Sequence, residues 1–331
     1  MAKNVAVIGV GNMGKNHARI YHDMDDVNLV AVCDYDLELA EKIAKKYSAK
    51  AYKDHKEMLK GHNIDAISIV VPTTLHKKIA LDVISEKIDL LIEKPIAATI
   101  DEAEEITRAA EDKQVKLMIG HIERFNPAVS ELKRRISKEG LGKIYKFSAS
   151  RSSPYPSRIS DVGVVIDLAV HDIDIIRYLT GKNFSEVFSH TEKRINSNHE
   201  DMLTALVKLE SDIVGSLNID WLTPVVIREL TVTGEKGMYR LNYLNQELFY
   251  YENGSALNDK DYSEVIMGVS AGNMTQIRIG KKEPLKIELE SFIKSINEGS
   301  PALVTGEDGL EALKVALKLI EASKTGRVLK I

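Results

Sequence analysis

The segment Val5-Ala6-Val7-Ile8-Gly9-Val10-Gly11-Asn12-Met13-Gly14 constrains this chain more than any other. A short apolar run leads into three glycines spaced G-x-G-x-x-G, and a helix-like stretch, Lys15 to Met24, follows. This order folds as strand, tight turn and helix. Gly9 permits the turn, Gly11 removes a Cβ from the approach to a phosphate, and Gly14 lets helix and strand pack closely. The helix N-terminus offers unbonded N–H groups and the positive end of its dipole to an anion. The turn Gly9, Gly11, Asn12, Met13 and Gly14 is therefore the expected seat of a dinucleotide pyrophosphate. The plain alternative is a glycine-rich strand-to-helix turn.

A second apolar run, Val27 to Cys33, ends in Asp34, twenty residues beyond Gly14. An acidic residue there can accept hydrogen bonds from the adenosine ribose hydroxyls. It would also repel a 2′-phosphate, and Tyr35 rather than an arginine follows. NAD is expected in preference to NADP.

The first 120 residues alternate apolar strands, read at 4–9, 28–33, 66–71, 89–92 and 116–120, with helical stretches including Leu37–Tyr47, Lys77–Glu86 and Ile100–Asp112. That alternation predicts a parallel, doubly wound sheet. Beyond a helix at about 128–138, two-residue alternation predominates. Strands are read at 143–152, 184–195, 201–209, 213–221, 227–234, 237–243 and 246–252, interrupted by a helix over Val165–Thr180 and closed by helices at about 285–298 and 306–324. This pattern predicts an α+β domain with an open-faced, mostly antiparallel sheet. The expected division is a dinucleotide-binding domain over 1–122 and a substrate-binding and oligomerisation domain over 123–331. The uncovered sheet face is the expected homo-oligomer surface. Residues 253–275 carry the least pattern and read as a loop.

Composition excludes several classes. A net charge of -4 gives no electrostatic footprint for nucleic acid or an anionic membrane surface. The single cysteine, Cys33, excludes an intrachain disulfide, and its place in a strand predicts a buried thiol. No run is long and apolar enough for a membrane span, and no signal-peptide pattern is read, so a cytoplasmic location is expected.

Four segments carry chemistry. Leu90-Leu91-Ile92 runs into Glu93-Lys94-Pro95 at the carboxyl end of a strand, where such sheets bind ligands. Lys94 is either held against a nicotinamide, as donor or proton carrier, or solvated at a turn. Val70-Val71-Pro72-Thr73-Thr74-Leu75-His76 also follows a strand, and Pro72, Thr73 and His76 are expected to line the cofactor site, with a capping or surface role for His76 as the alternative. In the helix Asp167 to Leu179, Asp167 and His171 stand four apart on one face, as a carboxylate orienting a proton-shuttling histidine would, or as an ordinary structural pair. Asp174 lies on the same stripe. The spacing would also suit zinc, but hydride transfer needs only a base and an orienting donor, so no metal is expected. His121-Ile122-Glu123-Arg124-Phe125-Asn126-Pro127 completes the set, and Arg124 there meets either an anionic substrate or a local carboxylate.

Taken together these residues resemble the Gfo/Idh/MocA family of oxidoreductases. The resemblance rests on G-x-G-x-x-G at 9–14, Asp34, Glu93-Lys94-Pro95, Arg124-Phe125-x-Pro127, Asp167-x-x-x-His171, and Gly306-Glu307-Asp308-Gly309 before a long helix. It implies NAD(P)-linked chemistry at a sugar or cyclitol hydroxyl carbon, with Lys94, His171 and Asp167 catalytic and Glu93 beside the cofactor. Many members carry a glycine triplet before the Asp-x-x-x-His segment. This chain has Gly163 alone, which predicts a different substrate-side loop. The segment 121–127 looks like the branch acting on nucleotide sugars, UDP-N-acetylglucosamine 3-dehydrogenases. That would assign Arg124, Asn126, Arg151 and Arg158 to the substrate, with ordinary surface arginines as the alternative. An inositol or free-sugar dehydrogenase and a non-catalytic NAD sensor are the competing readings.

Overall fold

The computed structural model describes residues 2–138, 140–156, 162–195, 198–254 and 271–331. Arg158 and most of the 253–275 stretch lie outside them. The chain divides into two compact units: residues 1–122 with 283–314, and residues 123–282 with 315–331.

In the first unit, six parallel strands lie in the order β3-β2-β1-β4-β5-β6. They are β1 (Lys3–Ile8), β2 (Val27–Cys33), β3 (Lys50–Tyr52), β4 (Ala66–Ile69), β5 (Asp89–Glu93) and β6 (Leu117–Gly120). The helices between them are α1 (Gly14–His22), α2 (Leu37–Tyr47), α3 (His55–Gly61), α4 (His76–Ser85) and α5 (Ile100–Asp112). Every residue of β4 and β6 is buried, as expected of strands with both faces covered. The periodicity did not show β3 and α3, because three strand residues and two helical turns are too short to carry a period. Order reverses between β1 and β4, and at such a switch point the sheet opens a crevice beyond its strand ends. The glycine turn leaves β1 and the Pro72 turn leaves β4, so both border it.

The linear division at 122/123 does not describe residues 283–314. Helix α8 (Pro284–Glu298) packs on α1 and buries Leu285, Leu289, Phe292 and Ile293. Helix α9 (Gly306–Thr325) starts on a reciprocal cap, with Asp308 N–H on Thr305 Oγ1 and Thr305 N–H on Asp308 Oδ2. A Cβ at Gly306 would stand 2.8 Å from Thr107 Oγ1, and one at Gly309 would stand 2.9 Å from Ile119 Cγ1. The Gly-Glu-Asp-Gly segment thus lets the start of α9 lie against α5 and β6.

The second unit is built on nine strands in the order β14-β13-β12-β11-β7-β10-β9-β8-β15. They are β7 (Ile144–Ser152), β8 (Phe184–Glu192), β9 (Met202–Leu209), β10 (Val214–Asp220), β11 (Ile227–Gly234), β12 (Gly237–Asn242), β13 (Glu247–Asn253), β14 (Ala271–Ile277) and β15 (Leu329–Lys330). Among the described residues of this sheet, only β7 and β10 pair in parallel. Alternation is clean: Leu203, Ala205, Val207 and Leu209 of β9 are buried and Thr204 and Leu206 exposed. Helix α6 (Pro127–Lys138) packs on β12 and β13. Helix α7 (Val170–Thr180) ends at Gly181, whose φ of 65° suits a left-handed cap.

Candidate functional site

The glycine turn has the geometry a dinucleotide needs. Gly9 has φ +87°, and a Cβ there would stand 2.2 Å from Val70 O. A Cβ on Gly14 would stand 1.8 Å from Gly9 O, so the α1 helix is pressed against the turn itself. Gly11 differs: a Cβ would meet no atom within 4 Å. The fold does not require glycine there; a ligand approaching the backbone would. Asn12 is exposed, Met13 stands at the N-cap, no side chain caps α1, and its first turn has no acidic residue. The N-terminus is thereby left to an outside anion.

Asp34 lies in the same cavity, about 420 Å³ and also lined by Gly9, Gly11, Tyr35, Val71 and Pro72. Its Oδ2 accepts Val10 N–H at 2.8 Å and its Oδ1 accepts Asp36 N–H at 3.1 Å, so the carboxylate is fixed beside the turn. Lys53 and Lys78 line this cavity as well; a lone lysine after a strand or in a helix gave no sequence signal. Cys33 is buried, and burial pushes its thiol up to about 12, which removes it as a nucleophile.

The β4 and β5 ends are tied together by His76. Its Nδ1 lies 2.9 Å from Pro95 O and its Nε2 2.9 Å from Val71 O, and the ring is 1% exposed. Burial holds His76 below its usual value, against two carbonyls that favour the charged form. The residue expected to line the cofactor site is thus tied to two backbone carbonyls. It is a buried brace between two turns. Thr73 is buried in a single 3₁₀ turn, and Pro72 faces the cavity.

Lys94 follows β5 and precedes Pro95 across a cis peptide bond. Its N–H donates to Glu93 Oε2 at 3.2 Å, while Glu93 Oε1 is 3.1 Å from His17 Nε2. Burial pushes Glu93 up, but the His17 hydrogen bond and the charges of His17 and Lys94 outweigh it and hold the carboxyl below its usual range. Glu93 is thus a buried support for the lysine turn. His17, in the first turns of α1, was not singled out from the sequence.

In the second unit, Asp167 lies in a π-helical turn, Val165–Ala169, that runs into α7 with His171 in its first turn. Wide turns of this kind occur mostly as single insertions at functional sites. Gly163 leads into it, because a Cβ there would stand 2.2 Å from the Glu200 carboxylate. Glu200 accepts Val165 N–H through Oε1 and Val164 N–H through its carbonyl. Glu200 lies 37 residues downstream of Gly163, and no local pattern announced it.

Three residues expected at the substrate have protein partners. Arg124 is 4% exposed and forks onto Asp174, with Nε–Oδ2 at 2.9 Å and Nη2–Oδ1 at 2.6 Å, and its guanidinium lies 4.9 Å from the Tyr178 ring centroid. Arg151 donates to Asp172 Oδ2 at 2.6 Å and Glu123 Oε1 at 2.9 Å, beneath Tyr243. Burial alone would lower Arg151, but the Asp172 and Glu123 charges reverse this. Burial pushes Asp172 up instead. The Arg151 charge and hydrogen bond oppose that shift, and the guanidinium itself stays charged. Asn126 caps α6, accepting Ala128 N–H and donating to Tyr243 O. Asp174, Asp172 and Tyr243 meet Arg124, Arg151 and Asn126, and those partners lie far along the chain. Arg158 lies outside the described residues.

Arg228 was also missed. It pairs across the sheet with Arg151 and donates to Ser152 O at 2.8 Å. Burial and then Arg151 depress it, while Asp172, Glu123 and Asp167 support its charge. Among the described residues no cluster of three or more His, Cys, Asp or Glu is gathered as a metal would need. No described helix is long and apolar enough to cross a membrane.

A Rossmann sheet with a glycine turn and an acidic β2 end, joined to an open-faced sheet, defines a dinucleotide-linked oxidoreductase. Residues 3–121 match the description "Oxidoreductase family, NAD-binding Rossmann fold" and residues 133–331 match "Oxidoreductase family, C-terminal alpha/beta domain". The chain belongs to the Gfo/Idh/MocA family, and it is an NAD(P)-dependent dehydrogenase acting on CH–OH groups. It is similar to UDP-N-acetylglucosamine 3-dehydrogenase of Acidithiobacillus ferrooxidans, 28% identical over 95% of each chain. A solved structure of that enzyme superposes with a TM-score of 0.88 at 26% identity, covering 98% of each chain. It is also similar to scyllo-inositol 2-dehydrogenase (NAD(+)) of Bacillus subtilis, 26% identical over 97% of this chain and 94% of the relative.

Proposed function

We propose that the chain oxidises C3 of a UDP-N-acetylglucosamine-type nucleotide sugar with NAD. The observation that carries the cofactor half is the glycine turn: Gly11 opens to no protein atom, and Asp34 is fixed beside it. The glycine turn would hold the pyrophosphate, Asp34 the adenosine ribose, and Pro72 and Thr73 the edge of the site. Fixed as an acceptor, Asp34 disfavours a 2′-phosphate, and NAD is preferred. Bound nicotinamide supplies the two-electron acceptor for the sugar carbon. His171, oriented by Asp167, takes the hydroxyl proton as the C–H bond gives up its electron pair and the carbonyl forms. Lys94 is the first unit's candidate donor for stabilising a developing negative charge.

The sugar half is supported by the 28% identity to a UDP-N-acetylglucosamine 3-dehydrogenase. A second reading, an inositol or free-sugar dehydrogenase, is favoured by one observation: Arg124 and Arg151 are both neutralised internally, so neither is available to a diphosphate. The test is NADH absorbance with UDP-N-acetylglucosamine, the free sugar and inositols, each with NAD and with NADP. The expected result is turnover on the UDP-sugar with NAD. Turnover on a cyclitol alone would establish the second reading. No turnover on any, with NAD still bound, would leave a sensor.

We further propose that the exposed face of the second sheet self-associates. Leu206, Val214 and Val328 are 62%, 49% and 61% exposed around a depression of about 700 Å³. Lys146, Lys208 and Glu186 border it, so a two-fold pairing can set cations against anions. The native chain is expected to run as a dimer or tetramer in light scattering, and Leu206→Asp as a smaller species. A native monomer would refute this.

A further inference from the structure

One member of the buried stripe of α8 is a carboxylic acid. Glu288 is 0% exposed, and neither carboxyl oxygen has a hydrogen-bond partner. Two elements carry the titratable groups linked to it. Helix α1 brings Tyr21, which bonds Ser68 at 2.8 Å, and His17, which bonds Glu93. The end of β5 brings Glu93, followed by Lys94. His17 is also 0% exposed, and its Nδ1 has no partner.

The two carboxyls differ in what they can hold. Glu93 accepts from His17 and from Lys94 N–H, and it also packs against Gly120, where a Cβ would stand 3.1 Å from Oε2. Glu288 has no donor. A carboxylate stripped of water and donors is far costlier than its acid, so a group in that position neutralises. Two carboxyls in one buried locus titrate as a pair, and the proton resides on the one without donors.

We propose that Glu288 and Glu93 form a buried acid–carboxylate pair behind the Lys94 turn, with the proton on Glu288 and the charge on Glu93. Glu288 is then a positioning residue for Lys94, acting through Glu93. The electrostatics agree: burial, then the Glu93 charge, push Glu288 well above the usual carboxylate range. The consequence for stability has a definite sign. Unfolded, Glu288 releases its proton near its ordinary value of 4.5; folded, it keeps it. The folded state binds the extra proton, so this contribution is full below that value and is lost as pH rises toward the folded value.

Glu288→Gln keeps the shape and removes the titration. The ratio of its unfolding constant to that of the native chain is expected to change by up to about tenfold per pH unit as pH rises above the ordinary carboxyl value, in favour of the variant. Parallel curves would overturn the pair. An infrared spectrum of the native chain at neutral pH is expected to show a protonated-carboxyl C=O band that shifts in D₂O; its absence would overturn the pair without any variant. In turnover, the alkaline limb of the kcat profile is expected to move upward in Glu288→Gln, and an unmoved limb would overturn the positioning role. That arm rests on the assignment of Lys94 above. The infrared and denaturation arms do not, so the two failures are distinguishable.

Discussion

Lys94→Ala and His171→Ala are each expected to lower kcat by about 10²–10⁴-fold, the range of a lost proton-transfer group, while leaving NAD affinity within a few-fold. The expectation follows from where each residue stands in its own unit. Lys94 is held by Glu93 at the carboxyl end of β5, on the side where the glycine turn leaves β1. His171 opens α7 directly after a π turn that holds Asp167. His171 is buried in α7, so the unfolding midpoint is measured beside turnover, and a loss of turnover with an unchanged midpoint would point to chemistry. Asp167→Asn is expected to fall less far, because it removes an orienting charge and not the base. Near-native turnover in both alanine variants on the identified substrate would dismiss the proposed roles. Single-turnover measurement of NADH formation with saturating NAD separates the chemical step from product release.

Arg124→Leu is expected to destabilise the chain by about 3–5 kcal/mol, because it leaves the Asp174 carboxylate buried and unpaired. Against a typical total stability of about 5–15 kcal/mol, that is a large fraction. Asp174 is 0% exposed, and its partner forks onto it through two nitrogens. Replacing both, Arg124→Leu with Asp174→Leu, is expected to recover most of the loss, since an apolar pair of similar volume avoids both desolvation costs. Chemical denaturation of the two single variants and the double variant measures this directly. A residue that met a substrate anion would behave otherwise: its variant would keep its unfolding midpoint and raise the substrate KM. That outcome would support a substrate role for Arg124.

These two predictions mark what a linear reading can see. The parallel sheet was legible because buried strands write continuous apolar runs, as in Ala66–Ile69 and Leu90–Ile92, and because glycine spacing reports backbone geometry locally. The antiparallel sheet was legible through the alternation of β9. Strand β3 and helix α3 were not, since they are shorter than a readable period. The return of α8 to the first unit was hidden too, because an amphipathic stripe states that a face is buried and not against what. Among the site candidates, Gly9 and Gly14 pack where a Cβ would clash, and Asp34 follows β2 beside them. His76, Arg124, Asn126 and Arg151 do not have the expected freedom, because each is met by a partner on another element.

The sequence by itself determined the strand-turn-helix that takes a dinucleotide, the two sheet types, and the family to which the chain belongs. All of these are local, with information carried by neighbours within a few residues. Tertiary structure alone decided which charges face a ligand and which face each other. Arg124 finds Asp174 fifty residues away, and Glu288 lies against a unit whose other parts end at residue 122. A charge's role depends on the dielectric and the partners around it, and both are set by what the fold brings close rather than by what precedes or follows in the chain.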